Sequence, residues 1–333
     1  MKSSLATIKD VALAAKVSVA TVSRVLNESG YVHEETKTRV LKAMEELNYH
    51  PNEVARSLYK RESRLVGLLL PDITNPFFPQ LARGVEDEIH QHGFRLIFGN
   101  SDEDLEKELD YLQTFKQNHV VGVISATNHP DAPNYKDSSM PIVFLDRTGA
   151  HAPSVFADGR EGGRIAASEI IKRHSKRITL MKGPGHLQTA RDRFNGALDI
   201  LGEADVDFHV MATETFSFQE AQQRAAELFS LYPGTDGIVA SNDIVATAVL
   251  HEALKRKIKV PEDLQIIGFD DIPQSELLFP PLSTIRQPAY EMGKEAAKLL
   301  LSVMKNEYIG QSAVQMPVTF IERQTTRKAD DNE

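Results

Sequence analysis

The stretch TIKDVALAAKVSVATVSRVLN, from Thr7 to Asn27, decides the fold of the first part of the chain. It predicts two short helices with a tight corner between them. Thr7 begins the first helix, and Asp10 three residues later makes an acidic variant of a capping box. Ser18, a favoured N-cap residue, begins the second helix. The apolar residues that would face inward are Val11, Ala15, Val22, Val25 and Leu26.

The outward face of the second helix carries short polar side chains and one arginine, at Thr21, Ser23 and Arg24. This is the build of a helix-turn-helix, in which one helix braces and the second enters the major groove of DNA. An ordinary helical hairpin would show the same pattern, so these residues alone leave both interpretations open. A third helix is predicted from Glu34 to Asn48. Its periodic apolar residues are Val40, Leu41, Met44 and Leu47.

A second segment, LNYHPNEVARSL at Leu47 to Leu58, follows the first at a short distance. Together the two segments resemble the DNA-binding headpiece and hinge of the lactose-repressor family of bacterial regulators. The resemblance implies a homodimeric transcriptional repressor that binds a palindromic operator in double-stranded DNA. The residues that it places at the DNA are Thr7, Ser18, Val19, Ala20, Thr21, Ser23, Arg24, Asn27, Tyr49, Asn52, Ala55 and Leu58.

The segment from Glu53 to Leu58 is the hinge that the resemblance implies. A helix of about six residues is below the length that is stable alone in water. In the family this helix folds on DNA, and a leucine at the position of Leu58 wedges into the minor groove, where apolar wedges kink a base step. A leucine that packs against the body of the protein is the alternative.

Three positions of the headpiece are informative against the family's pattern. Lys16 stands where the family usually has glycine, and a left-handed lysine there would cost about 1 kcal/mol. Val19 and Ala20 hold the family's variable base-reading positions, and both are apolar. Apolar side chains suit contact with thymine methyl groups or readout of DNA shape, rather than bidentate hydrogen bonds.

Composition and charge restrict the function further. The 333-residue chain contains no cysteine, which excludes disulfides and thiolate metal sites. It has no apolar run that could span a membrane and no apolar signal core after Met1, so we expect a cytoplasmic protein. Its net charge is −9, yet residues 1–64 hold 11 Lys and Arg against 8 Asp and Glu. The basic surface therefore lies in the part that would contact phosphates, although a small solvated helical domain could show the same balance.

From residue 65 the chain alternates strands with helices, which predicts parallel βαβ units in two doubly wound α/β lobes. This body resembles the periplasmic sugar-binding protein fold, which the lactose-repressor family carries behind its headpiece. We expect a headpiece at 1–50, a hinge and linker at 51–64, a two-lobed body at 65–327 and a tail at 328–333. The N-lobe would hold about 65–160 plus 290–320, and the C-lobe about 161–288.

Connections between the lobes can also be placed. In the resembled fold the chain crosses three times, here expected near 158–163, near 287–290 and near 321. One last strand is predicted from about 315 to 321.

Polar and aromatic residues follow the predicted strands, at the edge where open parallel sheets bind ligands. They include amides, carboxylates, guanidinium groups and phenyl rings, but they contain no nucleophile–base pair and no metal-ligand spacing. We therefore expect neither an enzyme nor a bound metal or cofactor. A sugar suits this set, because its hydroxyls donate and accept together and its C–H faces can lie against phenyl rings. The candidate effector residues are Asn75, Phe77, Phe78, Asp146, Arg147, Arg193, Phe216, Asn242, Asp270 and Gln287.

Residue by residue, this set looks like the pocket of ribose-binding proteins and ribose-responsive repressors, which implies D-ribose as a small-molecule effector that releases the repressor from DNA. Several alternatives stay open. Asp146 and Arg147 could be a plain ion pair, and Phe77 or Phe78 could belong to the core. The effector could be another sugar, and a phosphorylated carrier protein could act as co-repressor. A free sugar-binding transport protein is a further alternative, which the headpiece disfavours.

Overall fold

The computed structural model describes residues 6–27, 29–49, 63–127, 129, 132–136, 138–147, 153–307 and 313–329. The chain divides into two compact units, residues 1–63 and residues 64–333. The first is a small helical unit, here called the headpiece, and the second is an α/β unit, here called the body. No helix in the described ranges is long and apolar enough to cross a membrane.

The described part of the headpiece is built from helices α1 (Ile8–Ala15), α2 (Val19–Asn27) and α3 (Glu34–Glu46). The helices meet in one core around Val11, Val22 and Val40, which have no exposed surface. Ala43 completes the inner face of α3, whereas Leu41 has 49% of its surface exposed. The inward prediction for Leu41 was wrong because each helical residue is rotated by about 100° from the last, which turns position 41 away from 40 and 43.

Lys16 makes the corner between α1 and α2. Its φ of 55° and ψ of 48° lie in the left-handed region, and its backbone N–H donates toward Ala12 O and Leu13 O. Glycine adopts this conformation without strain, whereas a residue with a Cβ adopts it at a cost. The departure from the family's pattern therefore falls at a position that is left-handed in this protein.

Two sheets organise the body, and each has six strands in the described residues. In spatial order the first sheet holds β11 (Ala313–Met316), β5 (Ser154–Ala157), β4 (Ile142–Leu145), β3 (Gly122–Ser125), β1 (Leu65–Leu70) and β2 (Arg95–Asn100). The second holds β12 (Thr319–Ile321), β10 (Ser283–Arg286), β9 (Gln265–Asp270), β8 (Gly237–Val239), β6 (Arg177–Lys182) and β7 (Asp207–Ala212). Neighbouring strands run parallel except β10 and β12. The predicted class, two doubly wound α/β lobes, is confirmed. We call the first sheet with its helices the N-lobe and the second the C-lobe.

Helices cover both sheets, and two close helix pairs stand out. The helices of the body are α4 (Phe77–Gln91), α5 (Leu105–Gln117), α6 (Pro133–Lys136), α7 (Gly159–Lys172), α8 (Gln188–Leu201), α9 (Phe218–Leu231), α10 (Asp243–Lys255), α11 (Gln274–Leu277) and α12 (Ala289–Met304). α4 packs on α12, and α7 packs on α8. A Cβ at Gly84 would lie 2.0 Å from Tyr290 O, and one at Gly163 would lie 2.0 Å from Arg193 O. The close contact between Gly163 of α7 and the backbone of α8 fixes the position of Arg193, one of the candidate effector residues.

In the described residues the chain passes between the lobes at three points. It leaves β5 for α7 at Asp158, leaves β10 for α12 at Gln287, and passes from β11 to β12 at Pro317. The prediction of one last strand was wrong, because this segment forms two strands, one in each sheet. Proline lacks the N–H that a continuing ladder needs. The third crossing accordingly precedes Ile321, where it was expected.

Candidate functional site

The start of α1 holds Thr7, one of the residues assigned to DNA. Its backbone N–H and its hydroxyl both donate to Asp10 Oδ2, at 2.8 Å and 2.7 Å. These hydrogen bonds lower the pKa of Asp10, so the ionised carboxylate lies near the positive end of the helix dipole. The predicted capping box is present, and it holds the Thr7 side chain in one orientation.

The exposed face of α2 is the candidate DNA-reading surface. Val19, Ala20 and Arg24 are exposed there. Ser18 caps the helix, since its Oγ accepts from the Thr21 backbone N–H at 3.1 Å and lies 2.9 Å from the Thr21 hydroxyl. The N-terminal turn of α2 thus presents two apolar side chains at the surface, and Arg24 adds an exposed guanidinium group in its last turn.

The remaining residues of the assigned DNA set differ in their surroundings. Asn27 Nδ2 donates to Ser23 Oγ at 3.2 Å, so these two polar side chains are bonded to each other on the last turn of α2. Tyr49 is half-buried against the headpiece core. Asn52, Ala55 and Leu58 lie outside the described residues.

A second candidate site is a cavity at the carboxyl ends of the strands, between the two lobes. The residues that line it are Asp72, Asn75, Phe77, Phe78, Glu103, Asp146, Arg147, Thr189, Arg193, Phe216, Asn242 and Asp270. Nine of the ten candidate effector residues are in this lining, although they are scattered over two hundred positions in the sequence. The tenth, Gln287, contacts the site through Asp270, to which its Nε2 donates at 2.7 Å.

Two arginine–aspartate pairs occupy the centre of the cavity. Arg147 donates from one guanidinium nitrogen to the carboxylate of Asp146 and, at 3.1 Å, to Thr189 Oγ1. Arg193 lies 3.2 Å from Asp270 Oδ1. The Asp146–Arg147 interpretation as an ion pair is thus correct, but the pair lines the cavity rather than lying apart from it.

Arg193 is held from three sides. Besides its contact with Asp270, it donates to Ser241 O at 2.9 Å, and its guanidinium carbon lies 4.0 Å from the ring centroid of Phe269. Stacking on an aromatic face and a fixed carbonyl acceptor orient the planar guanidinium group. The remaining donors of Arg193 therefore have a defined direction.

Several buried polar atoms in the site have no hydrogen-bond partner among the described residues: Asp146 Oδ1, Arg193 Nε and Ser241 Oγ. Buried polar groups are nearly always satisfied by protein or by water, so these atoms are positions where a water or a ligand can bind. They include an acceptor, Asp146 Oδ1, and a donor, Arg193 Nε. Hydroxyl groups, which accept and donate together, would satisfy them.

Burial raises the pKa of both pocket aspartates. The pKa of Asp270 rises to about 6, against the opposing effect of the Arg193 guanidinium group. Burial likewise raises the pKa of Asp146, which Arg147 opposes. Behind the pocket, burial and the neighbouring Asp270 raise the pKa of Asp243 to about 7. Perturbed carboxyl groups of this kind gather at functional sites.

Backbone strain coincides with these carboxyl groups. Asp146 has a φ of 62°, Asp270 has a φ of 112°, and Asp271 has a φ of 56°. Residues with a Cβ seldom adopt such angles, and where they do they cluster at ligand sites. The strained turn after each strand directs an aspartate into the cavity.

Aromatic side chains close the cavity from both lobes. Phe77 and Phe78, at the start of α4, are buried with their ring centroids 5.4 Å apart in an edge-to-face arrangement. Phe216 enters from the C-lobe and is half-buried. The sequence alternative that placed Phe77 or Phe78 in the core is partly correct, since both rings also pack in the core cluster of the body.

The free space in the cavity is about 30 Å³, comparable to the volume of one water molecule in the liquid. The two arginines fold back onto their aspartate partners and fill the rest. A sugar needs more room, so binding requires the lobes to separate and the guanidinium groups to exchange carboxylate contacts for ligand contacts.

Sequence reasoning missed three residues of the lining. Thr189 lies four positions before Arg193 on α8, hence on the same helix face. Asp72 follows β1 and lies in a loop that was noted but not assigned. Glu103 follows β2, whose end was not included among the strand ends. A systematic collection of every strand end and of the helix face shared with Arg193 would have found all three.

Metal binding has no candidate in the part of the chain that the structure describes, where no group of three or more His, Asp or Glu side chains could hold an ion.

Comparison with known families matches both units. A model of bacterial regulatory proteins of the lacI family matches residues 7–52, and a model of periplasmic binding protein-like domains matches residues 167–326.

Individual relatives agree with these matches. The chain is 69% identical over 326 residues to the ribose operon repressor of Bacillus subtilis (strain 168), which covers 98% of this chain and 100% of that protein. A LacI family transcriptional regulator from Enterococcus faecium, solved with bound ribose, is 32% identical with a TM-score of 0.69, covering 79% of this chain and 98% of that one. A lac repressor dimer bound to operator and the anti-inducer ONPF shares the fold, with a TM-score of 0.88 at 24% identity over 97% of this chain and 99% of that one.

Proposed function

Because the chain belongs to the lacI family of bacterial regulatory proteins, we propose that it is a DNA-binding transcriptional repressor of a ribose-utilisation operon and that D-ribose is its effector. The observation that carries this proposal is the buried pair of arginine–aspartate contacts, with unpartnered Asp146 Oδ1 and Arg193 Nε facing a cavity walled by phenyl rings. The similarity to a ribose operon repressor and to a ribose-bound regulator supports the sugar. Such a regulator acts in the cytoplasm.

The chemistry of the pocket suits a pentose. Each carboxylate can accept hydrogen bonds from two neighbouring hydroxyls, and each guanidinium group can donate to two. These contacts would bind the hydroxyl groups around the edge of the sugar ring. Phe77, Phe78 and Phe216 offer apolar surface to the C–H faces of the sugar. Opening of the lobes admits the sugar, and closure then lets residues of both lobes bind it together.

Closure of the two lobes around the sugar couples sugar binding to DNA binding. Gln287, which donates to Asp270, lies on the connection between β10 and α12, so a change at the pocket carboxylate reaches the link between the lobes. We propose that the hinge expected at residues 53–58, which lies outside the described residues and would bring Ala55 and Leu58 to the minor groove, responds to the resulting shift. A coupling free energy of about 1–3 kcal/mol is typical of such linkage, and an isolated helix of about six residues would have little stability of its own to oppose it.

A homodimer is part of this proposal, since a palindromic operator presents two half-sites to a two-fold symmetric protein. The body offers a surface for it beyond α11. Leu277 and Phe279 have 82% and 86% of their surface exposed, which is unusual for large apolar side chains so near each other in the chain. Exposed apolar surface of this kind marks protein–protein contacts.

Calorimetry of the full-length protein against D-ribose, hexoses and purines tests the effector. We expect binding of ribose and much weaker binding of the others. A gel-shift assay with upstream DNA from its own locus should show a complex that ribose releases. Binding of a hexose or a purine but not of ribose would remove the ribose assignment and leave the repressor standing.

Two single substitutions distinguish the effector pocket from the DNA-binding surface. Asp270→Ala should retain operator binding and lose the response to ribose, whereas Arg24→Ala should retain ribose binding and weaken operator binding. Addition of a phosphorylated carrier protein to the gel-shift assay tests the co-repressor alternative. An operator affinity that rises only in its presence would favour that alternative over control by sugar alone.

A further inference from the structure

The lining of the pocket carries more acidic than basic groups. Among the described residues, the carboxylates are those of Asp72, Glu103, Asp146 and Asp270, and the guanidinium groups are those of Arg147 and Arg193. Each arginine already lies against an aspartate. The negative charges of Asp72 and Glu103 are not balanced by a further cation in the lining, so the lining has a net negative charge.

Neither of these two carboxylates forms an ion pair with another described residue. Asp72 Oδ1 accepts from the backbone N–H and the hydroxyl of Thr74, at 2.8 Å and 2.7 Å, and both donors are neutral. Glu103 is half-buried in the lining and has no hydrogen bond or ion pair with any described residue. Lys107, a nearby cation in the sequence, is bound to Asp102.

The turn that carries Glu103 into the pocket lining has an unusual backbone conformation. Asp102 and Glu103 are consecutive left-handed residues, with φ of 53° and 60°, a conformation seldom seen in residues other than glycine. Asn100 anchors the turn, since its Nδ2 donates to Asp102 and its Oδ1 accepts from the backbone N–H of Ile73 at 2.8 Å. The second contact joins the Glu103 turn to the loop that carries Asp72.

Two of the helix N-termini at the pocket are capped by asparagine side chains. Phosphates bind at helix N-termini, through backbone N–H groups that no side chain has capped. At the start of α4, Asn75 Oδ1 accepts from the Phe77 N–H at 3.1 Å. At the start of α10, Asn242 Oδ1 accepts from the Val245 N–H at 2.9 Å. Each cap occupies one backbone N–H that an anion would use, whereas the N-terminus of α8, which places Thr189 in the lining, has no side-chain cap.

We propose that this pocket takes an uncharged sugar and rejects the phosphate ester of the same sugar, and that Glu103 sets this selectivity. A phosphomonoester carries a charge of about −1.5 to −2 near neutral pH, so it would meet a lining in which four carboxyl groups outnumber two guanidinium groups. The regulator thus binds the free sugar, which is the substrate of a phosphoryl-transfer reaction, and not the phosphorylated product. This inference rests on the proposed function and names the chemical class that the same site accepts.

Calorimetry with D-ribose and ribose 5-phosphate on the full-length protein tests the inference. We expect the phosphate ester to bind at least about tenfold more weakly than ribose. Glu103→Gln should lower the ratio of ribose affinity to ribose 5-phosphate affinity at least about threefold, because it removes a charge that repels the phosphate. Glu103→Lys should lower this ratio further, because the lysine attracts the phosphate. Ribose affinity itself should also change, since Glu103 lines the pocket.

Glu106→Gln is the matched control, because it removes the same charge from an exposed position in the first turn of α5, and it should leave the ratio unchanged. Equal affinities for ribose and its phosphate in the unmodified protein would overturn the inference while the proposed function stands. A ratio that Glu103→Gln and Glu103→Lys both leave unchanged would overturn the role of Glu103. Failure of both ligands to bind would reject the proposed function and this inference with it.

Discussion

Gln287 donates a hydrogen bond to Asp270 across 2.7 Å, and both side chains are buried. One residue lies on a connection between the lobes, and the other is a pocket carboxylate that also contacts Arg193. The geometry of the connection and the direction of the carboxylate are therefore linked by a single contact. We propose that ligand binding alters the relation between the lobes through this link.

Gln287→Ala should weaken ribose binding about tenfold, because a hydrogen bond to a charged group contributes about 1.5–3 kcal/mol. Operator binding without ribose should stay unchanged. Calorimetry and a gel-shift assay measure the two affinities. Gln274→Ala, which changes an exposed glutamine of α11, serves as the control. An unaltered ribose affinity in Gln287→Ala would show that the link is not used.

Stability and ribose affinity should respond to pH in opposite directions. The native pKa of Asp270 is about 6 and that of Asp243 about 7, both above the ordinary 3.8. The native state therefore binds more protons than the unfolded chain in this window, and the free energy of unfolding should fall as pH rises from about 4 to 7. Ribose affinity should rise over pH 5 to 7, because ionised Asp270 accepts from hydroxyls. Urea unfolding and calorimetry across this range measure the two trends.

Asp243→Asn is the control for that pair of trends. Asp243 accepts from Ile272 N–H at 2.9 Å and from the hydroxyls of Ser275 and Thr284 at 2.6 Å and 2.5 Å, and it does not line the cavity. Its substitution should flatten the upper part of the stability curve and leave the pH trend of ribose affinity in place. A pH trend in affinity that disappears with Asp243→Asn would contradict the assignment to Asp270.

Lys16→Gly should stabilise the headpiece by about 1 kcal/mol, because glycine relieves the cost of a left-handed Cβ-bearing residue. Hydrogen exchange of the α1 and α2 amides in the full-length protein measures this as slower exchange. Lys9→Gly offers a control of opposite sign, since glycine inside a helix destabilises it by a similar amount. Faster exchange in Lys16→Gly would refute the expectation.

Arg24→Ala should weaken operator binding by about 1–3 kcal/mol and reduce its salt dependence, because Arg24 is an exposed cation on α2. Fluorescence anisotropy with a labelled operator at several salt concentrations measures both. Arg95→Ala removes the same charge from an exposed position on the body and should have little effect. Equal losses in the two variants would indicate a general charge effect instead of a contact made by α2.

Phe279→Asp should shift the protein from dimer to monomer and lower its operator affinity, because a carboxylate would replace an apolar contact in the proposed interface. Analytical ultracentrifugation reports the change in association state. Leu231→Asp, at another exposed leucine with 63% of its surface accessible, is the matched control. A Phe279→Asp variant that remains dimeric would place the interface elsewhere.

Most strands and all the long helices of the body could be predicted, and three short elements could not. The run LVGLLL gave strand β1 with both ends correct, because a continuous apolar run followed by Pro71 is typical of a strand buried on both faces. Strand β5 and helices α6 and α11 were missed. Each has four residues, too few for either period to become visible, and none is a continuous apolar run such as IVFL of the equally short β4.

The pocket shows how an error in an element boundary can hide a functional residue. The sequence pattern predicts a strand from Arg95 to Phe98 and a helix from Glu103 to Gln117, whereas β2 continues to Asn100 and α5 begins at Leu105. Glu103 therefore lies in the loop at the strand end, where ligand residues occur, and not in a helix. Its left-handed backbone could not be read from the sequence, because it is imposed by contacts made elsewhere in the fold.

The two last strands have a consequence for biosynthesis. β11 pairs with β5, and β12 pairs with β10, so each lobe receives an edge strand only from residues beyond 312. The ribosome must release nearly the whole chain before either sheet is complete, whereas the three headpiece helices need only the first 46 residues. A nascent or C-terminally truncated chain could thus carry a finished DNA-binding unit without a finished sensor. Such a fragment should bind DNA without responding to sugar.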